Sequence, residues 1–170
     1  MATTTYIGTG EVISADYKAL KWVGKTKDGH DCIIEVDDAL NMGNIEWTMA
    51  EKNDVVQNVE FQGCYSNTNT ASSSNTEPWR VTIDGATSAG AGEIVLGAGT
   101  FYINNSAIGL TRGGGAFNVE REFREINADG DRGAVKGRVV IESSRAKLSF
   151  NALTILTKLT DLYSGIAASV

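Results

Sequence analysis

The chain has 170 residues, 42% hydrophobic and 21% charged, which is long and apolar enough for one folded domain, residues 1–170. Its formal net charge of −6 argues against a module that binds nucleic acid by neutralising phosphates. The two cysteines, Cys32 and Cys64, are too few for a disulfide framework or a zinc site. No apolar stretch approaches the ~20 residues of a membrane span. We therefore expect synthesis in a reducing cytoplasm, without export or membrane contact.

The first third of the chain is dominated by β-type patterns. Residues 1–10 are small and polar and predict an N-terminal arm rather than a core element. Residues 11–23 favour a strand, and Asp28 with Gly29 forms the strongest short hairpin signal in the chain. Alternation of apolar and polar residues then predicts three further strands, at residues 32–36, 45–49 and 55–61.

A polar stretch divides the two halves. Residues 66–78 contain no apolar side chain beyond Ala71 and Pro78, so they predict an exposed polar loop rather than a core element. Strand patterns on both sides argue for one architecture and against a domain linker. Alternation resumes at residues 79–83, and short strands are predicted at residues 93–96, 100–103 and 108–111.

The next segment predicts a three-stranded antiparallel meander. Phe117, Val119 and Phe123 alternate with polar residues, which places apolar side chains on one face. Turn residues at 129–133 follow, because Gly adopts positive φ easily and Asp bonds nearby backbone. The return strand is predicted at residues 135–141 and a third strand at residues 148–152, after a break at two serines.

The C-terminal residues change period. Leu156, Leu159, Leu162, Tyr163 and Ile166 fall at helical spacing and predict a short amphipathic helix, residues 157–167, that packs against a sheet. Many short strands, frequent turns and one helix together predict a mainly β fold. We expect an antiparallel β-sandwich or barrel with one flanking C-terminal α-helix.

No constellation of residues predicts catalysis or a cofactor. Gly24-Lys25-Thr26 follows strand residues rather than the glycine-rich turn of a phosphate site. The Asp129-Gly130-Asp131 run differs from a calcium loop in its glycine position and has Arg138 where a Glu is needed. His30, the single histidine, has no predicted catalytic partner. We expect no enzyme activity, no cofactor and no metal site.

The charges of the meander are the feature most suggestive of a function. They are either a solvated face with weak ion pairs or a subunit interface or channel wall. A sheet with one apolar face has edge strands that invite pairing with another chain. The candidate residues are Glu120, Arg121, Glu122, Arg124 and Glu125 on the first strand and Lys136, Arg138 and Glu142 on the return strand.

The same stretch carries a family resemblance. The run GGGAFNVEREFREINADGDRGAVKGRVVIESSRAKLSFNAL resembles the C-terminal half of tail tube proteins of long, non-contractile-tailed bacteriophages. These have a glycine-rich lead-in, an F-x-V-x-R-x-x-R strand, an Asp-Gly/Arg-Gly hairpin and a V-K-G return strand. A weaker similarity covers GTGEV, the Asp28-Gly29 hairpin and NDVVQNVEFQGCY. The resemblance spans most of the chain except residues 66–77.

This resemblance implies a tail tube fold and a structural virion protein. Six copies would form a ring, neighbouring sheets would join into an inner β-barrel, and rings would stack on a tape measure protein. Tail terminator and distal tail proteins are implied partners, and double-stranded DNA would pass down the lumen without specific binding. The implied location is the phage tail, after synthesis in the host cytoplasm.

The resemblance also bears on charge and on ring stacking. A ring would carry six times −6, or −36, and a negative wall repels DNA phosphates. In the family, a loop and terminal arms bridge successive rings. Residues 41–53 or residues 66–78 are candidates for the loop, and residues 1–10 for an arm.

Two alternatives stay open. One is a monomeric β-sandwich that binds carbohydrate or acts as an adhesin, with Trp22, Trp47 and Trp79 as a sugar-stacking platform. Their spacing in strands favours core packing instead. The other is the tube protein of a contractile tail or secretion machine, which resembles the first family in fold.

Overall fold

The computed structural model describes residues 3–46, 56–65, 77–85, 95–130, 132–153 and 158–169. In these residues the chain is mainly β, as predicted, with antiparallel sheets and a single-turn helix, α1 (Leu159–Leu162). A 3-10 turn (Ser14–Asp16) precedes the second strand. The strands in chain order are β1 (Thr5–Gly8), β2 (Lys18–Thr26), β3 (Asp31–Asn41), β4 (Gln57–Gly63), β5 (Trp79–Ile83), β6 (Val95–Ile103), β7 (Ser106–Ala107), β8 (Thr111–Glu125), β9 (Val139–Ala152) and β10 (Ile166–Ser169).

One eight-stranded sheet forms most of the molecule, in the order β7-β6-β2-β3-β4-β9-β8, with β5 beside β3. Strand β3 is shared, because its first half pairs with β5 and its last residues pair with β4. The change of partner occurs at Asp38, whose φ of 46° is left-handed. Such a residue bends the strand and redirects its edge.

The sheet curls so that distant strands pack face to face. Three strands separate β6 from β9 in the sheet order, yet the rings of Phe101 and Phe150 stack with centroids 4.8 Å apart. Phe61 on β4 also stacks with Phe150, with ring centroids 6.2 Å apart. Burying side chains of this size contributes about 1.5–3 kcal/mol each. The core also contains Leu20, Trp22, Cys32, Val36, Val59, Ile103, Leu148, Leu159, Leu162 and Tyr163.

The hairpin predicted at Asp28 and Gly29 is confirmed. It joins β2 to β3, and Gly29 adopts a φ of 88°. Its N–H donates to the carbonyl of Thr26 at 2.9 Å, and the Thr26 N–H donates to the carbonyl of His30 at 2.8 Å. Glycine adopts the left-handed conformation required at this turn position without steric cost.

The predicted meander is wrong in its strand count. Strands β8 and β9 form a two-stranded hairpin, and β9 continues through Ser143 and Ser144 without a break. Ser144 is buried and lies opposite Arg121 in the β8–β9 ladder. The strand has a bulge at Glu142 instead. The pairing register with β8 shifts at this bulge, and the strand continues. Residues 135–138 belong to the connecting loop.

Other strand predictions also differ from the structure. Residues 95–103 form the single strand β6 rather than two short ones, and residues 108–110 are not a strand. Ile45 and Glu46 lie outside any strand. The rest of the strand predicted at residues 45–49, most of the polar loop predicted at residues 66–78 and the start of the strand predicted at 93–96 fall outside the described residues.

The C-terminal helix predicted at residues 157–167 is shorter than expected. Only α1 is helical; the chain then turns at Gly165, whose φ is 67°, and extends as β10. Strand β10 pairs antiparallel with β1, so part of the predicted N-terminal arm is a strand. The side chain of Asn41 donates to the carbonyl of Leu162, and the Ser164 hydroxyl donates to the carbonyl of Asn41 at 2.7 Å. These bonds hold the C-terminal segment against β3.

Candidate assembly interface

The predicted charged residues do not share one surface. Glu120, Glu122 and Arg124 alternate along the outward face of β8, whereas Arg121 and Glu125 lie on the same face as Phe117. Lys136 and Arg138 are in the loop between the strands, and Glu142 is at the bulge of β9. Grouping Arg121 and Glu125 with the polar face was therefore wrong, because strict alternation along β8 places both on the other face.

The outward face of the hairpin carries exposed polar contacts. The Lys147 ammonium lies 3.6 Å from carboxylate oxygens of both Glu60 and Glu120. Next along the strands, the Ser143 hydroxyl donates to Glu122 at 2.7 Å. Exposed ion pairs of this kind contribute about 0.2–1 kcal/mol each, so the face is held weakly.

On the inward face of the hairpin, Trp79 is the last residue of the sheet against which side chains of β8 pack. The Phe117 ring lies 5.7 Å from the Trp79 ring at a tilt of 59°, and the Arg121 guanidinium lies 5.7 Å above the same indole. A tilted aromatic pair and a cation over a ring are both attractive arrangements. Trp79 on β5 thus forms the last covered layer beneath β8.

Beyond Trp79 most described residues of the hairpin are exposed. In β9 every residue from Val139 to Glu142 is exposed, while alternate residues from Ser144 onwards are buried. We call residues 122–130 with 132–143 the hairpin tip, and residues 115–121 with 144–150 the hairpin base. The tip exposes large apolar side chains, namely Phe123 (61%), Ile126 (51%), Val139 (43%), Val140 (38%) and Ile141 (50%).

Each margin of the large sheet has a stretch of backbone with which no described strand pairs. Among the described strands none pairs with the outer edge of β8, which is 15 residues long. At the opposite margin, β7 pairs with Tyr102 and Ile103 of β6, and the Ile108 N–H donates to the Phe101 carbonyl at 3.0 Å; no other described strand pairs with this edge. An unpaired edge presents rows of N–H and C=O groups to any strand that can approach it.

A cleft of about 430 Å³ separates these two margins. Its apolar lining consists of Trp22, Ile34, Phe101, Phe117 and Leu148. Glycines form much of the two lips, with Gly97 and Gly99 on β6 and Gly114 and Gly115 on β8.

Close packing explains Gly115 at the β8 lip and also Gly24 on β2. A Cβ on Gly115 would lie 2.4 Å from the carbonyl oxygen of Ser149 and 2.5 Å from the Phe101 ring. A Cβ on Gly24 would meet the Trp22 ring at 2.1 Å. Gly24 therefore makes room for a core tryptophan. Trp22 itself is 8% exposed, so it belongs to the core rather than to a surface platform for sugars, and Trp47 lies outside the described residues.

The remaining reactive side chains lie apart from this surface. Burial raises the pKa of the Cys32 thiol, and burial followed by the charge of Asp38 raises the pKa of Cys64. Both thiols are free, and a raised pKa makes each a poor nucleophile. His30 flanks the β2–β3 turn with its ring beside Gly85. Across the part of the chain that is described, no cluster of His, Cys, Asp and Glu is suited to hold a metal ion.

The sequence patterns did not reveal the hairpin tip or the cleft, which are the two apolar parts of the candidate interface. Phe123 and Ile141 alternate like core residues, and nothing local indicates that the core ends before them. The cleft is assembled from five separate strands, so only the three consecutive glycines at 113–115 pointed to an unusual backbone.

The described helices include none of the length and apolar character needed to cross a membrane. Comparisons of this chain with protein-family models, with curated proteins and with solved structures found no match.

Proposed function

We propose that this chain is a structural subunit whose identical copies form rings, and that the rings stack into the hollow tail tube of a siphophage-type virion. The observation that carries the proposal is the outer edge of β8 from Gly115 to Glu125, with which no described strand pairs. A long free edge is normally covered, shortened or disrupted in a monomer, because it invites another strand. Here it is long and regular over most of its length.

The two margins of the large sheet differ from each other, which favours head-to-tail joining. The β8 margin and the β6 margin are distinct surfaces, so β8 of one copy meets β6 of the next. Such a contact closes into a ring when the rotation between copies divides a full turn, and it otherwise produces a helix. Six copies would then share one continuous barrel with no free edge. The tail tube fold itself is part of this proposal.

The charge of the chain suits a conduit for DNA. Each copy carries a net charge of −6, and a negative lumen keeps phosphate from adhering to the wall. Glu120 and Glu122, on the outward face of β8, are the candidate residues for the lumen or for the contact between copies. In this proposal the tube is built on a tape measure protein and capped by terminator and distal tail proteins.

Assembly is the direct test. We expect rings or tubes of the purified chain in negative-stain images and a high-mass species in light scattering. Glu120→Lys and Glu122→Lys should reduce assembly, and Asp84→Lys, a matched charge reversal at the end of β5, should not. A monomer at high concentration would contradict the proposal. Retention of double-stranded DNA by assembled tubes at physiological salt would remove the repulsive lumen from it.

A further inference from the structure

The hairpin tip and the cleft are complementary surfaces on one chain. We infer that the tip of one copy inserts into the cleft between β6 and β8 of the next copy. This inference rests on the proposed function, and it goes further by naming the two surfaces that mate. The partner is thus a second copy of this chain.

The tip has the form of an element that enters a gap. Phe123 pairs with Ile141 on one face, while Val140 pairs with Arg124 and so lies on the other face. All three apolar side chains are exposed. A strand with one apolar face lies on a flat surface, whereas apolar residues on both faces are typical of a strand covered from two sides.

The cleft provides two surfaces that could cover such a strand from both sides. It opens between β6 and β8, and its volume of about 430 Å³ falls in the ~300–1,000 Å³ range of pockets that enclose drug-sized molecules. A cleft of this volume can hold the Phe123 ring and part of the adjacent side chains. The floor is apolar and includes Trp22 and Leu148, and the strands on both sides have stretches of edge with which no described strand pairs.

Glycines keep the lips of the cleft accessible. Gly97 on β6 and Gly114 on β8 have φ values of 72° and 78°, and no heavy atom lies within 4 Å of the position of a Cβ on either. These positions are therefore open and lack side chains that would block an approaching backbone. Glycine is common where another backbone comes close.

The tip cannot reach the cleft of its own chain. Gly115 at the cleft and Phe123 at the tip are eight positions apart on β8, or about 27 Å along an extended strand. A continuous strand holds them apart, so the contact must join two copies. Because the two surfaces differ, the contact is head-to-tail and repeats from copy to copy.

Two single substitutions separate the two surfaces. Phe123→Asp places a charge on the exposed tip, and Ala98→Trp fills the cleft from an exposed position on β6. Each alone should raise the concentration needed for assembly at least about tenfold, as loss of a central contact does. Val81→Asp, at an exposed apolar position on β5, and Ala168→Trp, on exposed β10, are the matched controls and should assemble normally.

Mixing the two variants gives the decisive result. The Phe123→Asp chain keeps its cleft and the Ala98→Trp chain keeps its tip, so the mixture should form one-to-one dimers that grow no further. Native mass spectrometry measures the stoichiometry, and circular dichroism with urea unfolding checks that each variant folds. A Phe123→Cys chain mixed with an Ala98→Cys chain should also form an intermolecular disulfide under oxidation, which does not depend on a bulky substitution.

The outcomes distinguish this inference from the proposed function. If the wild-type chain forms tubes while either variant assembles as well as the wild type, the tip does not enter the cleft and only the inference is wrong. The same holds if both variants are impaired yet their mixture stays monomeric and the cysteine pair does not cross-link. If the wild-type chain never assembles, both are wrong.

Discussion

The base and the tip of the β8–β9 hairpin belong to the same two strands but are in different environments. Phe117 and Phe123 lie on one face of β8, six positions or about 20 Å apart. Phe117 packs against Trp79, whereas Phe123 is 61% exposed. The alternating pattern is the same in both halves. Burial in this molecule is therefore decided by where the rest of the sheet ends, and an apolar face that continues past that point is available to another molecule.

The largest test of this comparison replaces one phenylalanine in each region. Phe150→Ala, in the base, removes a ring that stacks on Phe61 and Phe101 and should lower the free energy of unfolding by about 3–5 kcal/mol. Phe123→Ala should change it by less than about 0.5 kcal/mol, because an exposed ring leaves no cavity. Urea unfolding of dilute monomer measures both. A comparable loss in both variants would mean that the tip is packed within its own chain.

Alkaline pH should lower the stability of the body of the protein through a buried tyrosine, and the tip has no such group. Burial raises the pKa of Tyr163 above its usual 10.0, so the folded state keeps the proton that the unfolded state releases. Stability from this group is complete below pH 10 and falls above it, by up to about 1.4 kcal/mol per pH unit until the folded pKa is reached. The tip contains neither tyrosine nor cysteine.

Tyr163→Phe should flatten this alkaline decline, and urea midpoints measured between pH 8 and 11 check it. The substitution also removes the hydrogen bond to Gln57, so it costs about 1–3 kcal/mol at neutral pH. The comparison is therefore between slopes rather than absolute values. Equal slopes in the two proteins would show that Tyr163 ionises as freely in the folded state as in the unfolded one.

Two glycines of similar conformation sharpen the contrast further. Gly29 has a φ of 88° in the β2–β3 turn, and Gly137 has a φ of 86° in the tip. A Cβ would meet nothing within 4 Å at either position, so substitution by Ala tests backbone strain alone. We expect Gly29→Ala to cost about 1–2 kcal/mol in global stability. Gly137→Ala should cost less, because the tip can open locally while the body stays folded.

Hydrogen exchange distinguishes these two responses. Gly137→Ala should accelerate exchange of tip amides, and Gly29→Ala should accelerate exchange across the large sheet. The same pattern in both variants would indicate that tip and body unfold as one cooperative unit.

The smallest expected effect concerns the outward face. Lys147→Met removes the base contacts to Glu60 and Glu120 and should cost about 0.2–1 kcal/mol at low salt, less at high salt. Ser143→Ala, which removes the tip contact to Glu122, should cost no more than that. Thermal unfolding at two salt concentrations is sufficient. A Lys147 effect that salt leaves unchanged would point to packing of its alkyl chain rather than to charge.

Local signals predicted the parts of the fold that depend on neighbours in sequence. The Asp28-Gly29 turn and the alternation in β3, β4 and β5 were predicted because turn chemistry and two-residue periodicity act within a few positions. The C-terminal segment was not, because β1, more than 150 residues earlier, supplies the edge that keeps β10 extended. A long-range partner overrode a helical pattern there.

The candidate site divides in the same way. The charged positions on β8 were recognisable from the sequence. Their faces follow from strict alternation along the strand, and the sequence-based grouping of Arg121 did not apply that alternation. The break expected at Ser143 and Ser144 failed because burial of Ser144 depends on strands elsewhere in the sheet. The cleft draws its lining from five strands and has no local signature.

The pairing of β1 with β10 has a practical consequence for engineering. Thr5 and Ser169 are direct partners, so a short linker joining residues 3 and 169 would span little distance. Opening the chain instead between Lys27 and His30 would give a circularly permuted protein with the same strand contacts. A label fused at such new ends would leave both margins of the large sheet untouched.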